Sequence, residues 1–155
     1  MAILKEGAKA PEFNLPSSEG GEVRLSGFKG KKRVVLYFYP KDDTPGCTVE
    51  ACGFRDKIEK VKQKDAVVLG VSPDGAASHG KFIEKFNLPF ILLSDEDRQV
   101  SKAYGVWVKK SMYGKEYMGV ARTTFIIGKD GRIEKRFDKV KADGHADEVL
   151  LVLGR

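Results

Sequence analysis

Arg33-Val34-Val35-Leu36-Tyr37-Phe38-Tyr39-Pro40-Lys41-Asp42-Asp43-Thr44-Pro45-Gly46-Cys47-Thr48-Val49-Glu50-Ala51-Cys52-Gly53-Phe54 reads as a strand, a loop and the start of a helix. Arg33 to Tyr39 is an unbroken β-branched, aliphatic and aromatic run, the mark of a strand buried on both faces, and Pro40 ends it. Thr44 can cap a helix that has Pro45 at its first position, where the missing N–H does no harm. Cys47, Ala51, Phe54, Ile58 and Val61 then recur at i, i+4, i+7, i+11 and i+14, an apolar stripe on one helix face directed at a core. Cys47 falls in the first turn.

Outward from this unit, Val67 to Val71 reads as a second buried strand and Ala76 to Phe86 as a helix ending at Asn87, before Pro89. Phe90 to Leu93 is a candidate short strand and Asp97 to Tyr104 a short helix. Thr123 to Ile127 and Arg132 to Phe137 flank Gly128-Lys129-Asp130-Gly131, a hairpin signal. His145 to Leu153 reads as a closing helix. Upstream, Glu12 to Leu15 and Glu22 to Leu25 form a small hairpin around Ser17 to Gly21. The order predicts an α/β fold of thioredoxin-like arrangement: a central mixed sheet flanked by helices, with an N-terminal β-hairpin added.

The chain has 155 residues, 41% hydrophobic and 32% charged, the size and composition of one globular domain spanning 1–155. The longest apolar run, Val34 to Pro40, is a strand's length, which argues against a membrane span. Lys5 and Glu6 follow Met1-Ala2-Ile3-Leu4 directly, so no leader's apolar region forms, and a reducing cytoplasm is the expected compartment. The net charge of +6 is scattered, with local excess at Lys29 to Arg33 and Lys57 to Lys64. That favours weak attraction to polyanions, and no stacking or recognition motif points to nucleic acid. Trp107, Tyr113 and Tyr117 fall in what reads as a Gly-containing loop, at a pocket rim or interface. His79, in a polar stretch, reads as solvated.

The two cysteines, five apart, admit four readings. On an intact helix such residues lie about 8.6 Å apart at Cα, beyond the roughly 7 Å a disulfide spans. A static bridge would unwind the first turns. Zinc would have half a site, because His79 and His145 lack ligand spacing. Two buried thiols remain a fair reading for Cys52, which sits off the apolar stripe. Cys47 differs: helix-start N–H groups and the helix dipole favour a thiolate there, and Gly46 leaves the backbone approachable.

Pro40-x-x-x-Thr44-x-x-Cys47 resembles the active-site motif of the peroxiredoxins. Pro40 to Asp56, with a second cysteine five residues after the first, resembles the bacterioferritin-comigratory-protein or peroxiredoxin Q subfamily. The likeness runs through Gly7 to Leu15, Val71-Ser72-Pro73-Asp74, Leu93-Ser94-Asp95 and Ala121 to Ile127. It implies a thiol peroxidase for hydrogen peroxide and organic hydroperoxides, active in antioxidant defence. Cys47 would be the peroxidatic nucleophile, passing through a sulfenic acid. Cys52 would be the resolving thiol of a redox-active Cys47–Cys52 disulfide, which thioredoxin or a similar dithiol re-reduces. Arg122 would face Cys47, with Thr44 as a further donor and Pro40 shielding the sulfur. Glu50 would either orient Arg122 or serve as a local helix-start acid. The resemblance implies no cofactor and no metal, and a monomer, with a dimer as the alternative. The rival function is a general thiol–disulfide oxidoreductase, which would call for Cys-x-x-Cys instead of Cys-x4-Cys.

Overall fold

A computed structural model describes residues 4–154. Residues 1–3 and 155, on which the reading against a leader and the outer bounds of the expected domain depend, lie outside the described residues. The chain runs β1 (Asn14–Pro16), β2 (Glu22–Arg24), a short 3-10 helix (Leu25–Phe28), β3 (Arg33–Phe38), α1 (Pro45–Asp56), α2 (Ile58–Gln63) and β4 (Ala66–Ser72). It continues through α3 (Ala76–Phe86), β5 (Ile91–Ser94), α4 (Gln99–Ala103), β6 (Trp107–Met112), β7 (Lys115–Val120), β8 (Thr123–Ile127), β9 (Ile133–Phe137) and α5 (His145–Leu153).

Five strands make a mixed sheet in the order β5-β4-β3-β8-β9. The unbroken apolar run of β3 puts it in the middle, parallel to β4 and antiparallel to β8. Its alternation supplies both faces of the sheet. Val35, Tyr37 and Tyr39 join Cys47, Ala51, Phe54, Ile58 and Val61, with Phe82 of α3 and Val149 of α5. Val34, Leu36 and Phe38 face the other way, into a core with Phe13, Leu15, Tyr104, Val106 and Phe125. The fold is therefore the thioredoxin-like one that the element order predicts, with β1 and β2 as the added hairpin. Gly70 of β4 is a required absence: a Cβ there would lie 2.7 Å from Leu92 and 2.8 Å from the Tyr37 ring. An alanine at 70 would displace that ring from under α1.

Three local readings need correction. Trp107, Tyr113 and Tyr117 lie on a two-stranded hairpin, β6 and β7, and not in a loop. Its two-residue turn puts Tyr113 at φ 52° and Gly114 at φ 78°, both in the left-handed region. Such turns usually carry Asn or Asp first, so the Tyr-Gly pair hid the hairpin. The helix after Pro45 breaks at Lys57, whose N–H turns back to the carbonyls of Phe54 and Arg55. The apolar stripe nonetheless continues, with Ile58 and Val61 buried on α2. His79, expected in water, is fully buried on α3. Among the described residues no helix is long and apolar enough to cross a membrane.

Candidate active site

Cys47 is the third residue of α1 and is 1% exposed. Its place follows from the local sequence: β3 ends, Pro40 to Thr44 turn the chain, and Thr44 takes the extended N-cap conformation before Pro45. The Thr44 side chain does not cap the helix. Its hydroxyl donates to the Lys41 carbonyl at 2.9 Å and so stiffens the approach loop instead. Pro40 is half-buried at the start of that loop.

Arg122 reaches the sulfur from the short link that leads into β8. It stands between β7 and β8, where Val140 donates its backbone N–H to the Arg122 carbonyl. One guanidinium arm, Nη2, donates to Cys47 Sγ at 3.4 Å. The other, Nη1, donates to Glu50 Oε1 at 2.7 Å. Glu50 is one helical turn beyond Cys47, so both side chains project toward the same cation. Gly46 completes the fit: a Cβ there would come within 3.0 Å of Arg122 Nη2, pushing the guanidinium off the sulfur.

The charges are tuned by burial. Glu50 is pushed up to about 7 by desolvation, against the lowering pull of Arg122. Its second oxygen, Oε2, is buried and finds no hydrogen-bond partner among the described residues; nor does the Tyr37 hydroxyl. Burial works against the Arg122 cation, but Glu50 and then Cys47 hold its pKa above the ordinary arginine value. Lys110, half-buried on β6, is held below its ordinary value by desolvation and then by the charge of Arg122. The hairpin thus carries a second cation toward the site, which the loop reading of residues 107–120 had hidden.

Cys52 lies five residues along α1, half-buried, and both thiols are free. The structure therefore brings Cys47, Glu50 and Arg122 into contact, sets Thr44 and Pro40 on the loop that enters the helix, and leaves Cys52 unbonded. Among the described residues no group of three His, Cys, Asp or Glu side chains is placed to hold a metal ion.

A buried thiol in the first turn of a helix, bonded by a guanidinium on a thioredoxin-like sheet, defines an oxidoreductase of the thiol-peroxidase class. Residues 7–136 match the AhpC/TSA family, and the chain is 53% identical over 150 residues to the peroxiredoxin Bcp of Bacillus subtilis, covering 97% of this chain and 95% of that protein. This chain therefore belongs to the AhpC/TSA family, among the peroxiredoxins. Solved structures agree. The peroxiredoxin Q of Xylella fastidiosa superposes with a TM-score of 0.93 at 37% identity, covering 99% of this chain and 98% of that one. The bacterioferritin comigratory protein of Xanthomonas campestris, described for its alkyl peroxide reduction activity, gives a TM-score of 0.89 at 37% identity over 99% and 98%.

Proposed function

We propose that this peroxiredoxin reduces hydrogen peroxide and organic hydroperoxides through Cys47, with Cys52 resolving the oxidised sulfur. The observation that carries the assignment is the 3.4 Å bond from Arg122 Nη2 to a sulfur buried at a helix start. A cationic donor and the unpaired N–H groups of the first turn both stabilise the sulfur as an anion. That thiolate attacks the nearer peroxide oxygen, the O–O bond breaks, and the departing oxygen leaves with a proton as water or an alcohol. Cys47 becomes a sulfenic acid. Because a more abundant thiolate is also a weaker nucleophile, thiolate fraction alone does not supply a peroxidase rate. The remainder comes from donors that align the peroxide and meet the charge of the breaking bond. Arg122 and the N–H groups of Gly46 and Cys47 are those donors; the Thr44 hydroxyl, whose hydrogen goes to the Lys41 carbonyl, offers an acceptor oxygen, and Pro40 shields the sulfur from water.

The Cys52 sulfur then attacks the sulfenic sulfur, the S–O bond breaks, and the hydroxide leaves with the proton of the Cys52 thiol as water, giving a disulfide. An external dithiol of the thioredoxin type exchanges with this disulfide and restores both thiols. Residues 47 and 52 of a regular helix are about 8.6 Å apart at Cα, so the first turns of α1 open before the bond forms. Gly46 and Gly53 make that stretch the least costly part of α1 to unwind. Support for the substrate class comes from the alkyl peroxide reduction activity of the Xanthomonas campestris relative.

One equivalent of peroxide should lower the intact mass by about 2 Da per chain, the signature of two thiols becoming one disulfide. Cys52→Ser should instead gain about 16 Da as a sulfenic acid and lose recycling by thioredoxin. Cys47→Ser should be inert to peroxide. Turnover in that last variant would remove the assignment.

A further inference from the structure

The mechanism above leaves a buried polar cluster unused. Asp42 lies in the loop between β3 and α1, and His79 on α3 is 37 residues away. His79 is fully buried and the Asp42 side chain 3% exposed. His79 Nδ1 stands 2.7 Å from Asp42 Oδ2, and His79 Nε2 stands 3.0 Å from the Leu93 carbonyl on β5. The Tyr39 hydroxyl donates to Asp42 Oδ1 at 2.5 Å, and Ser78 Oγ donates to Oδ2 at 2.8 Å. The Asp42 backbone N–H donates to Asp74 Oδ2 at 2.7 Å, and Asp74 is held in turn by Ser72 Oγ at 2.8 Å.

Donor counting fixes the proton inventory. A carbonyl only accepts, so Nε2 carries hydrogen. Nδ1 and a carboxylate oxygen 2.7 Å apart need a proton between them, or two lone pairs would face one another out of water. The Tyr39 hydroxyl, 3.5 Å from Nδ1, cannot supply it, because burial keeps it a phenol and its hydrogen is committed to Asp42. The pair therefore shares one proton on the line between Nδ1 and Oδ2, in addition to the one on Nε2. Among the described residues Asp42 is the one acidic side chain that bonds to the ring.

The loop that this pair grips is Pro40 to Thr44, the segment that presents two of the proposed site residues. It has no strand or helix of its own, and Asp43 sits at φ 55°, a left-handed conformation that persists only where surroundings enforce it. Asp42 is pinned on one side of that residue and the Thr44–Lys41 bond closes the other.

We propose that Asp42 and His79 form a buried, proton-sharing clasp that fixes the Pro40–Thr44 loop over Cys47, making His79 a positioning residue for peroxide reduction. This rests on the functional reading above. The clasp aligns the peroxide and leaves the thiol itself untouched, so its loss should slow the peroxide reaction while sparing simple alkylation of Cys47.

Two substitutions separate the clasp from mere packing. The amide nitrogen of His79→Asn falls near Nδ1 and can still donate to Asp42, while that of His79→Gln falls near Nε2 and can only reach Leu93. Each loses one buried hydrogen bond, so their denaturation midpoints should fall alike. First-turnover peroxide rates should diverge: within about threefold of the parent for Asn, and down about tenfold or more for Gln. Alkylation by iodoacetamide should be the same in both. Equal peroxide rates in the two variants, or a parallel fall in alkylation, would overturn the clasp. If neither folds, Ser78→Ala carries the test, with an expected fall of about threefold in peroxide rate at unchanged alkylation; an unchanged peroxide rate overturns the proposal. Nitrogen NMR of the parent's His79 ring should show Nε2 protonated and Nδ1 engaged in a strong hydrogen bond, and a bare Nε2 would overturn the proton assignment. A parent protein that does not consume peroxide would instead bring down the functional reading, visibly and before any variant is made.

Discussion

Two buried polar pairs flank the same turn of chain, and they are finished differently. Asp42 has every carboxylate oxygen engaged, by Tyr39, Ser78 and His79, in a compartment closed to water. Glu50 has one oxygen on Arg122 and a second, Oε2, buried without a partner among the described residues. Arg122 itself is 19% exposed at the side chain and spends its other arm on the Cys47 sulfur. A saturated pair can only hold what it grips. An unsaturated one keeps bonding capacity for an incoming molecule, and the energetic penalty it carries is the usual sign of a reacting centre.

The contrast can be tested by breaking each pair in turn. Asp42→Ala strands the buried Tyr39 and Ser78 hydroxyls and His79 Nδ1 without their partner, so unfolding free energy should drop by about 2–4 kcal/mol, read from urea midpoints. A loss under about 1 kcal/mol would mean that the bonds to Asp42 do not hold the loop. Arg122→Met should fold but lose about 10²–10³ in first-turnover rate, the typical effect of removing one donor to developing charge. Its stability should change less than that of Asp42→Ala, since the partner it abandons, Glu50, can take up a proton and become neutral.

Glu50→Gln sharpens the same point through pH. The Glu50 carboxyl is near 7 in the folded chain and near 4.5 once exposed, so the folded state binds more protons between these values. Stability from this group is full below about pH 4.5 and falls as pH rises toward 7, with a span on the order of 3 kcal/mol. The glutamine variant should show a flatter stability profile across that window, measured by denaturant titration at pH 5 and 7. The smallest effect belongs to Asp43→Ala. Its bond to Lys85 at 2.8 Å joins two exposed side chains on the same loop and helix as the clasp, and its loss should cost under about 1 kcal/mol. A large effect there would show that surface charge, and not the buried pair, anchors the loop.

The sequence displays whatever is written in periodicity or in short-range turn chemistry. The strand β3 and the start of α1 were legible because an unbroken apolar run, Pro40, and Thr44-Pro45 each act locally. Cys47 could be singled out because its helical position alone distinguishes it from Cys52. Arg122 could not, since 28 basic residues offer no local contrast and only the resemblance picked it out. Whether Glu50 would hold Arg122 depended on two elements 72 residues apart meeting across the sheet. His79 misled for a related reason: Ser78 and Gly80 beside it suggest water, while its burial is decided by Asp42 and Leu93 on other elements. Thr44 shows the subtler limit. Its backbone takes the capping conformation expected of it, yet the loop's own geometry claims its hydroxyl for Lys41.

The interruption at Lys57 gives the molecule a firebreak. Phe54 and Val61 belong to one apolar seam, but the backbone ladder beneath them is interrupted, and the Val61 N–H donates to the carbonyl of Lys57, the residue at the break. A pitch change begun at Gly46 would therefore spend itself within three turns, leaving α2 its grip on the sheet if the proposed opening of α1 accompanies oxidation.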